Sequence, residues 1–305
     1  MKQDFGRVAV LMGGVAAERE VSLRSGQAVL KGLLAAGVEA QAFDVTCLTQ
    51  LVEIASRFDR AFIALHGRWG EDGQVQAILQ SLNMPFSGSG MAASALAMDK
   101  LRTKWVWRGA GLSTPGFAYA SPEQALDLKS LDLGFPLMVK PSHEGSSIGM
   151  RKVYNLAELE DAVQEARAFD SEVLIEQFIE GREFTVALLN GQILPAIELK
   201  TSHDFYDFDA KYQANDTQYI CPCDLPEAVQ SQINQLVLDG FKTLGAEGWG
   251  RMDVMLDHNN QAWLIELNTV PGMTEKSLVP KAAKQAGISF DQLVLEILRS
   301  SLSSV

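Results

Sequence analysis

The chain has 305 residues, 47% of them apolar and 21% charged, and a formal net charge of −12. This is the composition of a globular protein with core enough for two or three packed units, not of a disordered chain, and the acidity excludes a general nucleic-acid binder while leaving room for local basic sites. No apolar run reaches the roughly 18 residues of a membrane span, the N-terminus lacks a signal-peptide pattern, and Cys47, Cys221 and Cys223, odd in number and without zinc-ligand spacing, read as reduced thiols of a cytoplasmic protein.

In chain order, Arg7–Met12 reads as a buried strand ending at Gly13-Gly14, and Val21–Ala36 as a helix stopped by Gly37. Ala61–Leu65 is another short strand, ending at His66-Gly67. Strands alternating with helices predict a parallel α/β sheet, which receives ligands beyond the carboxyl ends of its strands. Glu18 and His66 stand at such ends. A carboxylate at a helix start also simply favours the helix dipole, and a lone histidine there is also compatible with a structural role. Gly88–Ala93 matches the outline of a dinucleotide fingerprint, but the expected acid is missing downstream, so it reads as a tight turn before a helix.

In the middle of the chain, Met98-Asp99-Lys100 and Lys104 lie on a predicted helix, where a solvated face is the ordinary reading. Leu137–Lys140 is strand-like and runs into the Gly/Ser loop Lys140–Gly149. A lysine at a strand end followed by backbone N–H groups and hydroxyls can cradle phosphates. No Gly-Lys-Ser/Thr closes the loop, so it is not a Walker A motif, and a plain surface loop is the alternative. Asn155 caps a helix bearing Leu156, Leu159 and Val163, and Val173–Phe178 is again a strand.

Further on, Glu183–Leu189 and Gln192–Leu199 flank Asn190-Gly191, a hairpin signal. Helices follow with Val229, Ile233, Leu236, Val237 and Leu244, and at the end with Phe290, Leu293, Val294, Ile297 and Leu298, on one face. Between them, Arg251–Asp257 and Ala262–Asn268 read as a hairpin in which Asp257 faces Ala262 and Asp253 faces Glu266. Alternation then gives one apolar face of Met252, Val254, Leu256, Trp263, Ile265 and Leu267, and a polar face of Arg251, Asp253, Glu266 and Asn268. Two carboxylates opposite one another repel. A hard cation held by oxygen ligands would relieve this, and so would an ion pair with Arg251 on a solvated face.

Together and in this order, Gly13–Leu23, Leu65–Gly73, Met98–Lys100, Lys140–Gly149, Ala210–Tyr212, Gly250–Val254 and Glu266–Thr274 resemble the motifs of D-alanine–D-alanine ligases, of the ATP-grasp superfamily. The likeness runs from about Val8 to the last helix. It implies an N-terminal Rossmann-like parallel α/β domain on the first-substrate side (1–95) and a two-part ATP-grasp fold. The parts are a central subdomain (96–182) and a C-terminal subdomain (183–305) with the metal site and a mobile loop of about 200–218. ATP would lie between two antiparallel sheets. The implied reaction joins two D-alanines through a D-alanyl phosphate, releasing ADP and phosphate, for peptidoglycan precursor synthesis.

Carried over by position, Lys100 and Lys140 would hold phosphates of ATP, with Ser147 and Lys211 among the nucleotide contacts. Glu176, Phe178, Ile179 and Glu183 would line the adenine and ribose pocket, main-chain groups at 177–179 reading the adenine edge. Asp253, Glu266 and Asn268 would bind two Mg²⁺ ions, for which Mn²⁺ can substitute, and Arg251 would stabilise the transferring phosphoryl group. Glu18 would bind the first D-alanine's ammonium, with His66 also on the substrate side; Ser277 and Leu278 would position the second. Glu18, Ser146 and Tyr212 look like the family's hydrogen-bonded trio. The implied partners are small molecules and a second copy of the chain in a homodimer, with neither nucleic acid nor membrane. The departures are His143, where a basic residue, often Arg, is common, and Glu275-Lys276, where His often precedes the serine. The alternatives are D-lactate or D-serine as second substrate, and a nucleotide-binding regulator that no longer catalyses; Tyr212 in Ala-Lys-Tyr favours D-alanine.

Overall fold

The computed structural model describes residues 4–122, 127–128, 131–145, 147–201 and 217–302. Ser146, Lys211, Tyr212 and most of the 200–218 loop lie outside the described residues.

The first unit is built from β1 (Val8–Met12), α1 (Arg19–Ala35), β2 (Ala40–Asp44), α2 (Leu48–Ala55), β3 (Arg60–Ile63) and α3 (Gln74–Ser81). Its strands are parallel in the order β2-β1-β3, as the alternation requires. Val8, Ala9, Val10 and Leu11 are wholly buried, which accounts for the unbroken apolar run of β1. The edge strand β2 is only half-buried and carries no such run.

Next come α4 (Met91–Met98), α5 (Lys100–Gly109), β4 (Phe117–Ala120), β5 (Leu137–Pro141), β6 (Arg151–Val153), α6 (Leu156–Arg167) and β7 (Val173–Gln177). The four strands are antiparallel in the order β4-β7-β5-β6. Asn155 caps α6 by accepting from the Glu158 N–H at 3.0 Å, and Leu159, Ala162, Val163 and Ala166 pack that helix onto the sheet.

The third sheet comprises β8 (Gly181–Leu189), β9 (Gln192–Ile193), β10 (Ile197–Lys200), β11 (Gln218–Ile220), β12 (Trp249–Asp257) and β13 (Ala262–Asn268), in the order β11-β10-β8-β12-β13 with β9 beside β8. One face is covered by α4, α5 and α7 (Glu227–Thr243), where Ala97, Trp107, Ile233 and Val237 share a core with Phe184, Met252 and Leu264. Finally α8 (Leu278–Gln285) and α9 (Phe290–Arg299) return to the first unit: Val279, Leu293 and Ile297 belong to the same core as Val29 and Leu33. That return sets the start of α8 opposite the start of α1.

One strand range and one register are corrected. The strand expected over Gln192–Leu199 is interrupted around Pro195: β9 ends at Ile193, which faces Leu188, and β10 starts at Ile197, which faces Thr185. Proline has no N–H for the ladder, and the strand shifts around it. In the β12–β13 hairpin Asp253 does face Glu266, but a bulge follows, Val254 pairs with Leu264, and Leu256 rather than Asp257 faces Ala262. An extra residue in β13 reverses the facing of everything beyond it. The buried face is therefore Met252, Val254, Leu256, Ala262, Leu264 and Leu267. Trp263 and Ile265, expected there, lie with Met255 and Asp253 on the other side. The Trp263 indole N–H donates to Asp257 at 3.1 Å.

Candidate active site

Two cavities meet at Glu266. The smaller, about 530 Å³, lies between the second and third sheets, lined by Met138, Lys140 and Glu176 from one and Glu183, Met255 and Ile265 from the other. The bulge that overturned the facing of Ile265 is what brings this apolar side chain into the cavity. The larger, about 720 Å³, lies between the first unit and the end of the chain, and includes Glu18, His66, Lys100, Arg251, Asn268 and Ser277. Glu266 belongs to both linings.

In the smaller cavity, Lys140 is the penultimate residue of β5 and its ammonium lies 2.6 Å from Glu176. Lys104 pairs with the other oxygen of the same carboxylate and donates to the Thr114 hydroxyl at 2.8 Å. Lys104 and Glu176 are 1% and 2% exposed, so the solvated helix face expected for Lys104 is overturned: Lys100, Lys104 and Trp107 are buried along one side of α5. Burial pushes the Lys104 ammonium down. Burial alone would raise the Glu176 carboxyl, but Lys104 and Lys140 together bring it below its ordinary value. Lys152 lies 3.8 Å from the centre of the Phe178 ring, and both line the cavity. The N–H groups of Gln177 and Phe178 donate to Gly116 and Pro136. Ser147 lines the cavity with a left-handed backbone, φ 59°.

At the junction, Arg251 holds Asp253 with two parallel hydrogen bonds of 2.9 and 2.7 Å. The Thr185 hydroxyl donates to the same carboxylate at 2.7 Å, and the Asn268 amide lies 3.4 Å from it. Lys100 is 3.9 Å from Glu266. The two facing carboxylates are thus each met by a cation. Two carboxylates and an amide on one end of a hairpin form an all-oxygen donor set that fits a hard divalent ion.

In the larger cavity, Glu18 precedes α1 and its carboxylate is wedged between two loops. A Cβ on Gly67 (φ +72°) would lie 2.3 Å from one of its oxygens, and a Cβ on Gly145 2.9 Å from the other. A side chain at either glycine would displace the carboxylate from this place, and Gly67 also holds a left-handed backbone that favours glycine. Arg68 and Glu144, 2.6 Å apart, bridge the same two loops. His66 is buried with both ring nitrogens engaged, by the Val270 carbonyl and the Ser25 hydroxyl, each at 2.9 Å. It therefore fixes the 270–273 turn from within the cavity wall. Burial holds the neighbouring Glu71 carboxyl above its usual range. Ser277 and Leu278 open α8, and the Ser277 hydroxyl meets Thr274 at 2.9 Å.

The family pattern described as D-ala D-ala ligase C-terminus matches residues 106–299, and D-ala D-ala ligase N-terminus matches residues 39–89. A D-alanine–D-alanine ligase of Hydrogenovibrio crunogenus is 64% identical over 300 residues, covering 98% of this chain and 96% of that one. The chain belongs to the D-alanine–D-alanine ligase family. Another family member, D-alanine–D-alanine ligase B of Pseudomonas syringae pv. tomato, is 56% identical over 304 residues, 99% of this chain and 95% of that one. The ligase of Bacillus anthracis complexed with ATP superposes with a TM-score of 0.88 at 35% identity, each chain covered to 98%. The fold is that of these ligases: a parallel sheet followed by two antiparallel ATP-grasp sheets.

Proposed function

We propose that the protein joins two D-alanines to D-alanyl-D-alanine, consuming ATP and releasing ADP and phosphate, in cytoplasmic synthesis of the peptidoglycan precursor. The observation that carries this is the meeting of a nucleotide-sized cavity and a substrate cavity at Glu266, beside Arg251 and Lys100. A carboxylate is a poor electrophile because it has no good leaving group. Transfer of the γ-phosphoryl group to the first D-alanine gives an acyl phosphate and ADP. The second D-alanine's amine attacks the acyl carbon, loses a proton, and expels phosphate. Catalysis here is mainly positioning and charge neutralisation.

In this reading Lys100 and Lys140 hold phosphates, with Ser147 and, by family resemblance, Lys211 beside them. Phe178 and Ile179 flank the adenine and Glu183 the ribose. Main-chain groups at 177–179 read the adenine edge; with the Gln177 and Phe178 N–H groups engaged elsewhere, the N–H donor among them is that of Ile179. Glu176 supports the site by holding Lys140. Glu18 takes the first ammonium. His66 shapes the wall, and the start of α8 at Ser277 and Leu278 receives the second carboxylate, as helix N-termini do. Ser146 and Tyr212 complete the trio with Glu18 by resemblance. Asp253, Glu266 and Asn268 would hold two Mg²⁺ ions, or Mn²⁺, which when bound would offset phosphate charge. In this reading the chain divides at about 95/96 and 182/183, and two copies pair as a homodimer.

The test is ADP release from the purified protein with ATP and Mg²⁺, adding D-alanine, L-alanine or neither, with mass analysis of the product. D-alanine-dependent release and a D-alanyl-D-alanine product are expected; predominant depsipeptide when D-lactate competes would overturn the substrate assignment. Chelating divalent ions should bring ADP release to background, with Mg²⁺ or Mn²⁺ restoring it. Full activity in excess chelator would remove the metal site. Glu18→Gln should raise the KM for D-alanine by about 10- to 100-fold, the loss of a hydrogen bond to a charged group, with saturation by ATP little changed. Unchanged D-alanine saturation would count against Glu18.

A further inference from the structure

A cluster of charged side chains, Asp99, Arg102, His143, Asp170 and Glu172, lies between the head of α5 and the start of the phosphate loop; none of these five lines either cavity, but Lys100 beside them lines the larger one. Asp99 caps α5, accepting from the Arg102 N–H at 2.9 Å and the Ser142 hydroxyl at 3.2 Å. The Lys100 N–H donates to the Ser142 carbonyl at 3.0 Å, and the Lys100 ammonium to the Glu144 carbonyl at 2.5 Å. The connection from α6 to β7 closes the cluster: Ser142 donates to the Glu172 carbonyl at 3.0 Å. His143 stands at the centre. Its backbone N–H and its Nδ1 both meet Asp170 Oδ2 at 2.7 Å, and its Nε2 lies 3.2 Å from Asp99 and 4.0 Å from Glu172.

The charge pattern requires a cation at residue 143. Asp99, Asp170 and Glu172 converge here. Arg102 serves Asp99 at 2.9 Å and Glu172 at 3.1 Å, and His143 is the cation paired with Asp170. Both ring nitrogens face carboxylate oxygens, so both donate, which is the imidazolium form.

We propose that His143, gripped by Asp170 and Asp99, is a positioning residue for phosphoryl transfer: it pins the phosphate loop to the head of α5 and so sets Lys100 and Lys140 against the same phosphates. This rests on the nucleotide reading of the smaller cavity. His143 acts through its neighbours; Lys100 adjoins Asp99, and Lys140 lies three residues before His143. Hydrogen bonds from Asp170, then Asp99, push the imidazole up to about 9 from its ordinary 6.5, and with His143 beside it Asp170 falls to about 2 against the opposing effect of burial. The grip is complete below the ordinary histidine value and is lost as pH rises through about 9.

The test measures D-alanine-dependent ADP release and calorimetric ATP affinity, from about pH 7 to about pH 10. His143→Ala should lower kcat/KM for ATP by about 10- to 100-fold, the effect of a small displacement of catalytic groups, with the KM for D-alanine little changed. His143→Arg should keep most activity, since a guanidinium supplies a permanent charge and a fork of donors. Above about pH 9 the wild-type protein should lose ATP affinity while His143→Arg holds it, so their ratio rises. Identical alkaline limbs in the two proteins, or wild-type saturation by ATP in His143→Ala, would overturn the proposal. If His143→Ala does not fold, the wild-type and His143→Arg profiles decide alone. Wild-type protein that binds ATP without D-alanine-dependent turnover would fail the ligase reading and leave the affinity comparison to decide this one.

Discussion

Replacing Arg251 with alanine should lower turnover by about 10²- to 10³-fold, the loss expected when a charged donor to the transition state is removed. Arg251 stands near the start of β12 paired with Asn268, beside the facing carboxylates Asp253 and Glu266. Its guanidinium holds Asp253 through two bonds and lines the larger cavity where that cavity reaches Glu266. In the proposed reaction the negative charge of the γ-phosphoryl group develops at this junction. The same substitution frees Asp253 from its bidentate partner, but the Thr185 hydroxyl still holds that carboxylate at 2.7 Å, so the fold and ATP saturation should be nearly kept. Arg251→Lys retains charge without the fork and should fall between the two. Steady-state ADP release at saturating ATP and D-alanine reads the effect, and a near-normal rate in Arg251→Ala would remove its assigned role.

Legibility in the sequence followed the length scale of the signal. The buried run of β1, the cap of α6, the stripes of α6 and α9, and the Asp253–Glu266 pairing are local patterns, and they could be read directly. The bulge beside Asp253 could not, because an extra residue in β13 leaves no mark of composition: Trp263 and Ile265 are as apolar as Ala262 and Leu264. Yet that bulge brings Ile265 into the nucleotide-sized cavity. Lys104 shows a second kind of failure. Lysine on a helix ordinarily means solvent, and the carboxylate that neutralises it, Glu176, is 72 residues away on β7. A hint was present, since Lys100, Lys104 and Trp107 follow helical spacing and Trp107 is an unlikely surface residue. The cluster around His143 joins three separate segments, so only the fold brings its charges together.

The buried pair gives the second large effect: Glu176→Ala should cost about 3–5 kcal/mol of stability, the range for breaking a buried ion pair from one side. The carboxylate is 2% exposed and lies between two ammonium groups, Lys140 at 2.6 Å and Lys104 in direct contact. Removing it leaves two like charges facing each other across the space it filled. Lys140 lines the cavity and can turn toward solvent, but Lys104, 1% exposed, cannot. Lys104 retains a neutral partner in Thr114, too little to compensate a buried charge. The contribution of Glu176 is full above its ordinary carboxyl value of 4.5 and fades as pH falls through its lower folded value. The urea midpoint of Glu176→Ala at neutral pH should therefore fall sharply, with a smaller difference from wild type in acid. Adding Lys104→Met should recover much of the loss, because an apolar side chain of similar length needs no counter-charge. If Glu176→Ala unfolds at the wild-type midpoint, the two lysines have another source of compensation and the pairing carries no stability; if it falls but Lys104→Met restores nothing, the cost lies in the vacated volume rather than in the stranded charge.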